Sequence, residues 1–198
     1  VNYPNGQRRS NQVQQNTAKP NFANRGMSLE EDINATNIFY LSTNKAIVHK
    51  KPTPVQIVDV HYPKRSAAVI KEGYFKQAST TDYNGIYRGK YIDFEAKETK
   101  HTTRFPLKNI HEHQAEHMKQ IIEHGGIAFV IIRFSSLDAT YFLEADKLLD
   151  YWYAQDNGGR KSIPFQDIES KGFYIPFHFQ ARVDYLNIID RLYFRSED

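Results

Sequence analysis

Residues 127–132 read Ile-Ala-Phe-Val-Ile-Ile, an apolar run with no polar side chain in it, directly after Gly125-Gly126. A strand with one wet face alternates, so an unbroken run of this length marks a strand buried on both faces. The glycine pair ends a helix expected over about 110–124. Ahead of that helix, Tyr91-Ile92-Asp93-Phe94-Glu95-Ala96-Lys97 alternates with a period of two, as a half-buried strand does. Strand, helix, buried strand is a crossover unit, and such units are right-handed. The expected fold is therefore α/β, with a mixed central sheet that has a parallel portion and is flanked by helices.

The remaining segments fit around that unit. Ser28 and Glu31 have the spacing of a capping box, after which Leu29, Ile33, Thr36 and Tyr40 line one helical face and Asn44 ends the helix. Residues 46–48 and 55–60 read as strands, and Pro52 and Pro54 between them place that joint at a sheet edge. A strand is expected over 140–143 and short helices over 145–153 and 164–170; the aromatic end of the first, Tyr151-Trp152-Tyr153, suits core or subunit contact. Leu186, Ile189, Leu192 and Tyr193 repeat at helical spacing and should close the core. Residues 64–76 fit neither template; they mix bases with Tyr74 and Phe75 and are read as a projection from the domain. Residues 1–24, rich in Asn, Gln and Arg, are expected to form a flexible basic arm, either laid along a duplex or simply frayed, with a single domain over 25–198.

Composition closes off some chemistry. The chain has no cysteine, which excludes disulfides, thiolate metal sites and cysteine nucleophiles, so a metal must be held by oxygen or histidine. No apolar run approaches the ~20 residues of a membrane span and no signal-peptide pattern opens the chain, so a cytoplasmic protein is expected. The net charge of +3 names no partner, but its distribution is uneven. Bases dominate up to Leu29 (Arg8, Arg9, Lys19, Arg25) and again from Lys45 to Lys76, where Arg65, Lys71 and Lys76 stand beside Tyr74 and Phe75. Basic and aromatic side chains together suit phosphates and unstacked bases; a plain solvated surface has the same composition.

The chemistry-bearing stretch is 81–99. Alternation puts Asp93, Glu95 and Lys97 on one side of a strand and Ile92, Phe94 and Ala96 on the other, with Glu95 and Lys97 roughly 6.6 Å apart. Asp82 precedes Asn84-Gly85, a hairpin signal, so a strand ending at Asp82 is expected to fold back beside Glu95. Two carboxylates and a substrate phosphate make a sufficient cage for a hard divalent cation such as magnesium, and an ammonium alongside can orient the attacking water. Asp93 shares the face of Glu95, and parity does not separate them. His113 and His117 stand one helical turn apart without a third ligand at a recognisable distance, while Gln114 is placed to reach back to the preceding strand.

These residues carry a resemblance. Asn24-Arg25-Gly26-Met27-Ser28-Leu29-Glu30, the turn Ser79 to Gly85, Tyr91 to Thr99, and Phe105-Pro106-Leu107 leading to His111-Glu112-His113-Gln114 resemble the RecU family of Holliday junction resolvases, over nearly all the chain from Arg25 onward. The resemblance implies a restriction-endonuclease-like core with Asp82, Glu95, Gln114 and Thr80 around magnesium, manganese as a substitute, and Lys97 beside the water. It also implies a supporting acid on the first helix, Glu30 or its neighbour Glu31. Thr81 stands where the motif's name has proline, which contributes no ligand. The segment 64–76 matches the family's protruding stalk, with Arg65 and Lys71 foremost among its DNA contacts. What the resemblance further implies is a homodimer cutting four-way and other branched DNA, ties to RecA and the RuvAB branch-migration machinery, and a bacterial, nucleoid-associated setting. Two other functions fit the same letters: a non-cutting module that binds branched DNA and recruits partners, and a nuclease of the same core with a different DNA target.

Overall fold

In a computed structural model of the protein, the residues described are 27–61, 63–64, 68–76 and 80–194. The expected arm over 1–24, Arg25 and Arg65 lie outside them. A six-stranded mixed sheet runs through the domain in the order β1 (Ile47–Lys50), β4 (Tyr83–Tyr87), β5 (Lys90–Thr99), β7 (Ile127–Phe134), β8 (Ala139–Glu144), β10 (Phe173–Tyr174). Only β5 and β7 are parallel, in register from Ile92 opposite Ile127 to Thr99 opposite Phe134. Helix α2 (Glu112–Glu123) makes the crossover between them, as the buried run after Gly125-Gly126 requires.

Helices cover both faces because alternate side chains of β7 are apolar in both directions. Phe129 and Ile131 join Ile92 and Phe94 under α1 (Leu29–Ser42) and α5 (Tyr185–Tyr193). Ala128, Val130 and Ile132 lie under α2, α3 (Ala145–Ala154) and α4 (Phe165–Lys171). The capping box that starts α1 is formed: the Glu31 amide donates to Ser28 Oγ, and the Ser28 amide donates to Glu31 Oε2 at 2.7 Å. Leu29, Ile33, Thr36 and Tyr40 are its buried stripe. A small ladder of β6 (Arg104–Pro106) and β9 (Ser162–Pro164) closes one end.

Two expectations about the strands are corrected. Asn84-Gly85 is not a turn but lies inside β4; the chain reverses at Arg88-Gly89, both at positive φ, the backbone of a tight two-residue hairpin turn. Gly85 serves another purpose. A Cβ there would come within 2.1 Å of the Ile47 carbonyl oxygen, so only glycine lets β1 lie against β4. Gly85→Ala should cost about 1–3 kcal/mol, read as a fall in Tm.

The second correction concerns the projection. Its described part is regular: β3 (Val69–Phe75) pairs antiparallel with β2 (Val55–His61), with Val55 opposite Phe75 and irregular register near Ile57 and Asp59. β2 therefore leaves β1 after Pro52-Thr53-Pro54 and joins a separate two-stranded ribbon, which starts earlier than residue 64. Almost every described residue of the ribbon is exposed, Phe75 at 83%. Lys71 and Lys76 are exposed, and the Tyr74 hydroxyl donates to Glu72 at 2.5 Å.

Candidate active site

Parity on β5 works as the alternation requires, but neither face is open. Glu95 and Asp93 are both fully buried, because β5 sits inside the sheet and α2 packs over the face they share with Lys97. Asp82 stands just ahead of β4, on the strand that pairs with β5. Its position is pinned from both sides: its amide donates to Glu95 Oε2 at 3.1 Å, and its carbonyl accepts from the Lys51 amide at 2.8 Å. Lys97 Nζ lies 2.6 Å from Glu95 Oε1. Asp82, Glu95 and Lys97, spread over sixteen positions of sequence, thus meet at one point.

The electrostatics of that point call for a cation. Burial, then hydrogen bonding and charge repulsion from the Asp82 carboxyl, push Glu95 up to about 8, against which Lys97 pulls down. Glu95 Oε1 is buried and receives no well-directed hydrogen bond; the Lys97 contact is an ion pair. A buried carboxyl pressed against another carboxyl, with a single ammonium beside it, fits a hard divalent ion better than it fits water. Among the described residues no three His, Asp or Glu side chains are placed to hold an ion by themselves. An ion held by Asp82 and Glu95 would therefore need waters and substrate to complete its shell, as magnesium does.

Asp93 is separated from Glu95 by its partners. It accepts from Lys51 Nζ at 2.7 Å and from the Tyr91 hydroxyl at 2.9 Å, holds the Thr81 hydroxyl, and lies 3.3 Å from His117 Nε2. Lys51 Nζ also donates to Thr81 Oγ1 at 3.0 Å. Asp93 is thus a strut that ties the residue before Asp82 to β1, β5 and α2, and its oxygens are already taken. Asp93→Asn, which leaves Lys51 without its counter-charge, should cost roughly 3 kcal/mol. It should raise the metal concentration needed for half-maximal cleavage while leaving the rate at saturating metal near that of the parent, as a metal titration would read.

The supporting residues are placed unevenly. Glu30 lines a cavity of ≈140 Å³ with Asp82, Tyr83 and Glu98, and pairs with Lys50 at 2.5 Å. Glu31 is occupied by the helix cap, so of the two acids Glu30 is the one beside Asp82. Gln114 is buried, and its Oε1 accepts from the His111 amide at 3.0 Å, capping its own helix. Thr80 donates to the Thr81 carbonyl at 3.4 Å. His113 stacks on His111, 5.5 Å between ring centres, while His117 faces Asp93 and Lys51. Lys51 escaped sequence reasoning, and although Thr81 stands out there in place of proline and His117 by its spacing from His113, nothing local marks either as a partner of Asp93.

A family model described as Recombination protein U matches residues 24–191. The chain belongs to this family. Holliday junction resolvase RecU of Oceanobacillus iheyensis is 64% identical over 196 residues, spanning 98% of this chain and all of that protein. The Bacillus subtilis protein of the same name is 57% identical over 199 residues, covering 98% of this chain and 96% of its own. Among solved structures, the Holliday junction resolvase Hjc of Archaeoglobus fulgidus matches 72% of this chain and 93% of its own at 10% identity and a TM-score of 0.43, a likeness too slight to bear on function. The RecU relatives are bacterial, and among the described residues no helix is long and apolar enough to cross a membrane.

Proposed function

We infer that this chain is a magnesium-dependent endodeoxyribonuclease that resolves Holliday junctions in recombination and repair. The observation that carries this reading is the contact of the Asp82 and Glu95 carboxyls beside the Lys97 ammonium. The names of its RecU relatives support the junction as substrate. Asp82 and Glu95 would hold the ion, with Gln114 and Thr80 as the supporting polar groups. A divalent ion, magnesium or manganese, would supply Lewis-acid polarisation of the scissile phosphate and a more acidic attacking water. Lys97 orients the attacking water and offsets the charge that builds up on the phosphate oxygens as the P–O bond breaks. Glu30 steadies Asp82 across their shared cavity.

Paired cuts in strands of like polarity need two such centres related by a two-fold axis, so the working form is a homodimer. The ribbon of β2 and β3 presents Lys71, Lys76, Tyr74 and Phe75 to the branch point. Arg25 and Arg65, outside the described residues, join these contacts on the strength of their charge alone. Such contacts to the backbone select shape and carry no sequence information. Action beside RecA and RuvAB, in the bacterial cytoplasm at the nucleoid, completes the reading.

The test offers a four-way junction and a linear duplex of the same sequence together, with magnesium, manganese or chelator. Expected are two symmetric nicks that ligase can seal, in the junction alone and only with metal. Equal cutting of the linear duplex would make this a nuclease with another target. Binding without any cutting would make it a recruitment module.

A further inference from the structure

We propose that the cleft in front of Trp152 is a second DNA-contact surface, which holds the phosphate backbone of a junction arm away from the scissile bond; this rests on the nuclease reading above. The cleft measures ≈420 Å³, and Arg104, Lys108, Lys161 and His101 line it together with Trp152. No Asp or Glu side chain lines it. Among the described residues, Arg104, Lys108 and Lys161 make no ion pair; the two acids of the neighbouring helix α3 are Asp146, paired with Lys147, and Asp150. Three exposed cations left without counter-charges around one concavity form a site for a polyanion.

The mounting is stiff. Arg104 lies in the β6–β9 ladder opposite Pro164, Lys108 in the helical turn Leu107–Asn109 that follows, and Lys161 just ahead of β9. The Leu107 amide donates to the Lys161 carbonyl at 3.1 Å, which fixes the two lysines side by side, and the Phe165 amide donates to the Thr103 carbonyl at 2.8 Å. Trp152 is packed against the core beneath, and its indole forms part of the wall on which a sugar or an unstacked base can rest.

Position relative to the catalytic centre selects DNA as the occupant. β5, which carries Lys97, ends at Thr99, and His101 of the cleft follows two residues later. One strand of an arm can therefore pass over Lys97 and lie in the cleft. On the other side of Trp152, a cleft of ≈750 Å³ is lined by Glu112, Glu116 and Asp156 and repels phosphate, which confines the backbone to the basic side.

Trp152 is the single tryptophan of the chain, so tryptophan emission reports on the two clefts it separates, of which only this one is free of acids. The full-length protein is titrated with a four-way junction in chelator, with anisotropy of a labelled junction followed in parallel. Tryptophan emission should be quenched with the same midpoint as the anisotropy. Arg104→Ala/Lys108→Ala/Lys161→Ala, with unchanged circular dichroism, should bind about tenfold more weakly at physiological salt, with the slope of log K against log salt reduced by about 2–3. Emission that stays unmoved at full occupancy overturns the proposal, and this readout needs no variant. An unchanged salt slope also overturns it, as does emission that responds to a polyglutamate peptide and not to DNA. Absence of junction binding by the parent itself, seen in the anisotropy, would instead sink the nuclease reading.

Discussion

Asp82→Asn abolishes cleavage of a four-way junction, by on the order of 10³-fold or more, and leaves junction binding intact. Asparagine keeps the shape of the side chain and the two backbone bonds that hold residue 82, its amide to Glu95 and its carbonyl to Lys51. What it removes is one of the two negative charges that draw the ion. The junction is gripped elsewhere, by the ribbon and by the basic surfaces, so a gel-shift assay should not move while a cleavage assay falls to background. Cleavage that survives the substitution would remove Asp82 from the centre, whatever the family of the chain.

Glu95→Gln has the second large effect, and two readouts move in opposite directions. Cleavage is lost for the same reason as at Asp82. Stability of the metal-free protein rises, because the parent buries a carboxyl that resists ionisation. The sign follows from linkage. With Glu95 raised from 4.5 to about 8 in the folded protein, the folded state holds the extra proton across that window. The parent therefore has this stability in full below pH 4.5 and loses it as pH rises to about 8. Glutamine has no proton to lose, so above pH 8 in chelator the variant should be more stable than the parent by about 1–2 kcal/mol, read as a higher Tm. Magnesium should reverse the order by stabilising the parent and leaving the variant unmoved. Equal pH dependence of the two proteins in chelator would show that Glu95 carries no such penalty. Because the ion must displace that proton, metal affinity of the parent should also climb with pH through the same range.

The two acids differ in what the chain can spare. Asp93 is as buried as Glu95, yet its charge is matched by Lys51 and its oxygens by Thr81 and Tyr91. Removing it loosens the frame around the site. Glu95 has a neighbouring acid and a single ammonium, so it is costly to the fold and, on the function proposed above, useful to catalysis. That division is a common one between residues that hold a site and residues that work in it.

Much of the architecture was legible in the letters. The unbroken run at 127–132, the glycine stop before it and the alternation of 91–97 led to a mixed sheet with one parallel pair, and β5, α2 and β7 form it. The capping box at Ser28 and the helical spacing of Leu186 and Ile189 located α1 and α5. Local signals failed where a residue type has two uses. Gly85 follows an asparagine and reads as a turn, but its missing Cβ is needed where β1 crosses close to β4. The segment at 69–75 lacks a buried face, so it carries no clear alternation, although its backbone is a regular strand paired with β2.

What the sequence by itself determined is therefore the set of faces: which side chains of β5 share a side, where helices begin, and that Glu95 and Lys97 point together. Periodicity is a property of neighbours a few positions apart, and it holds wherever the strand is put. Only the tertiary structure decided who stands opposite. Lys51 reaches Asp93 across 42 positions, His117 across 24, and the Asp82 amide reaches Glu95 across 13. Those meetings depend on how β1, β4 and α2 pack around β5, and they alone give one buried acid a full set of partners and set the other against the Asp82 carboxyl and Lys97.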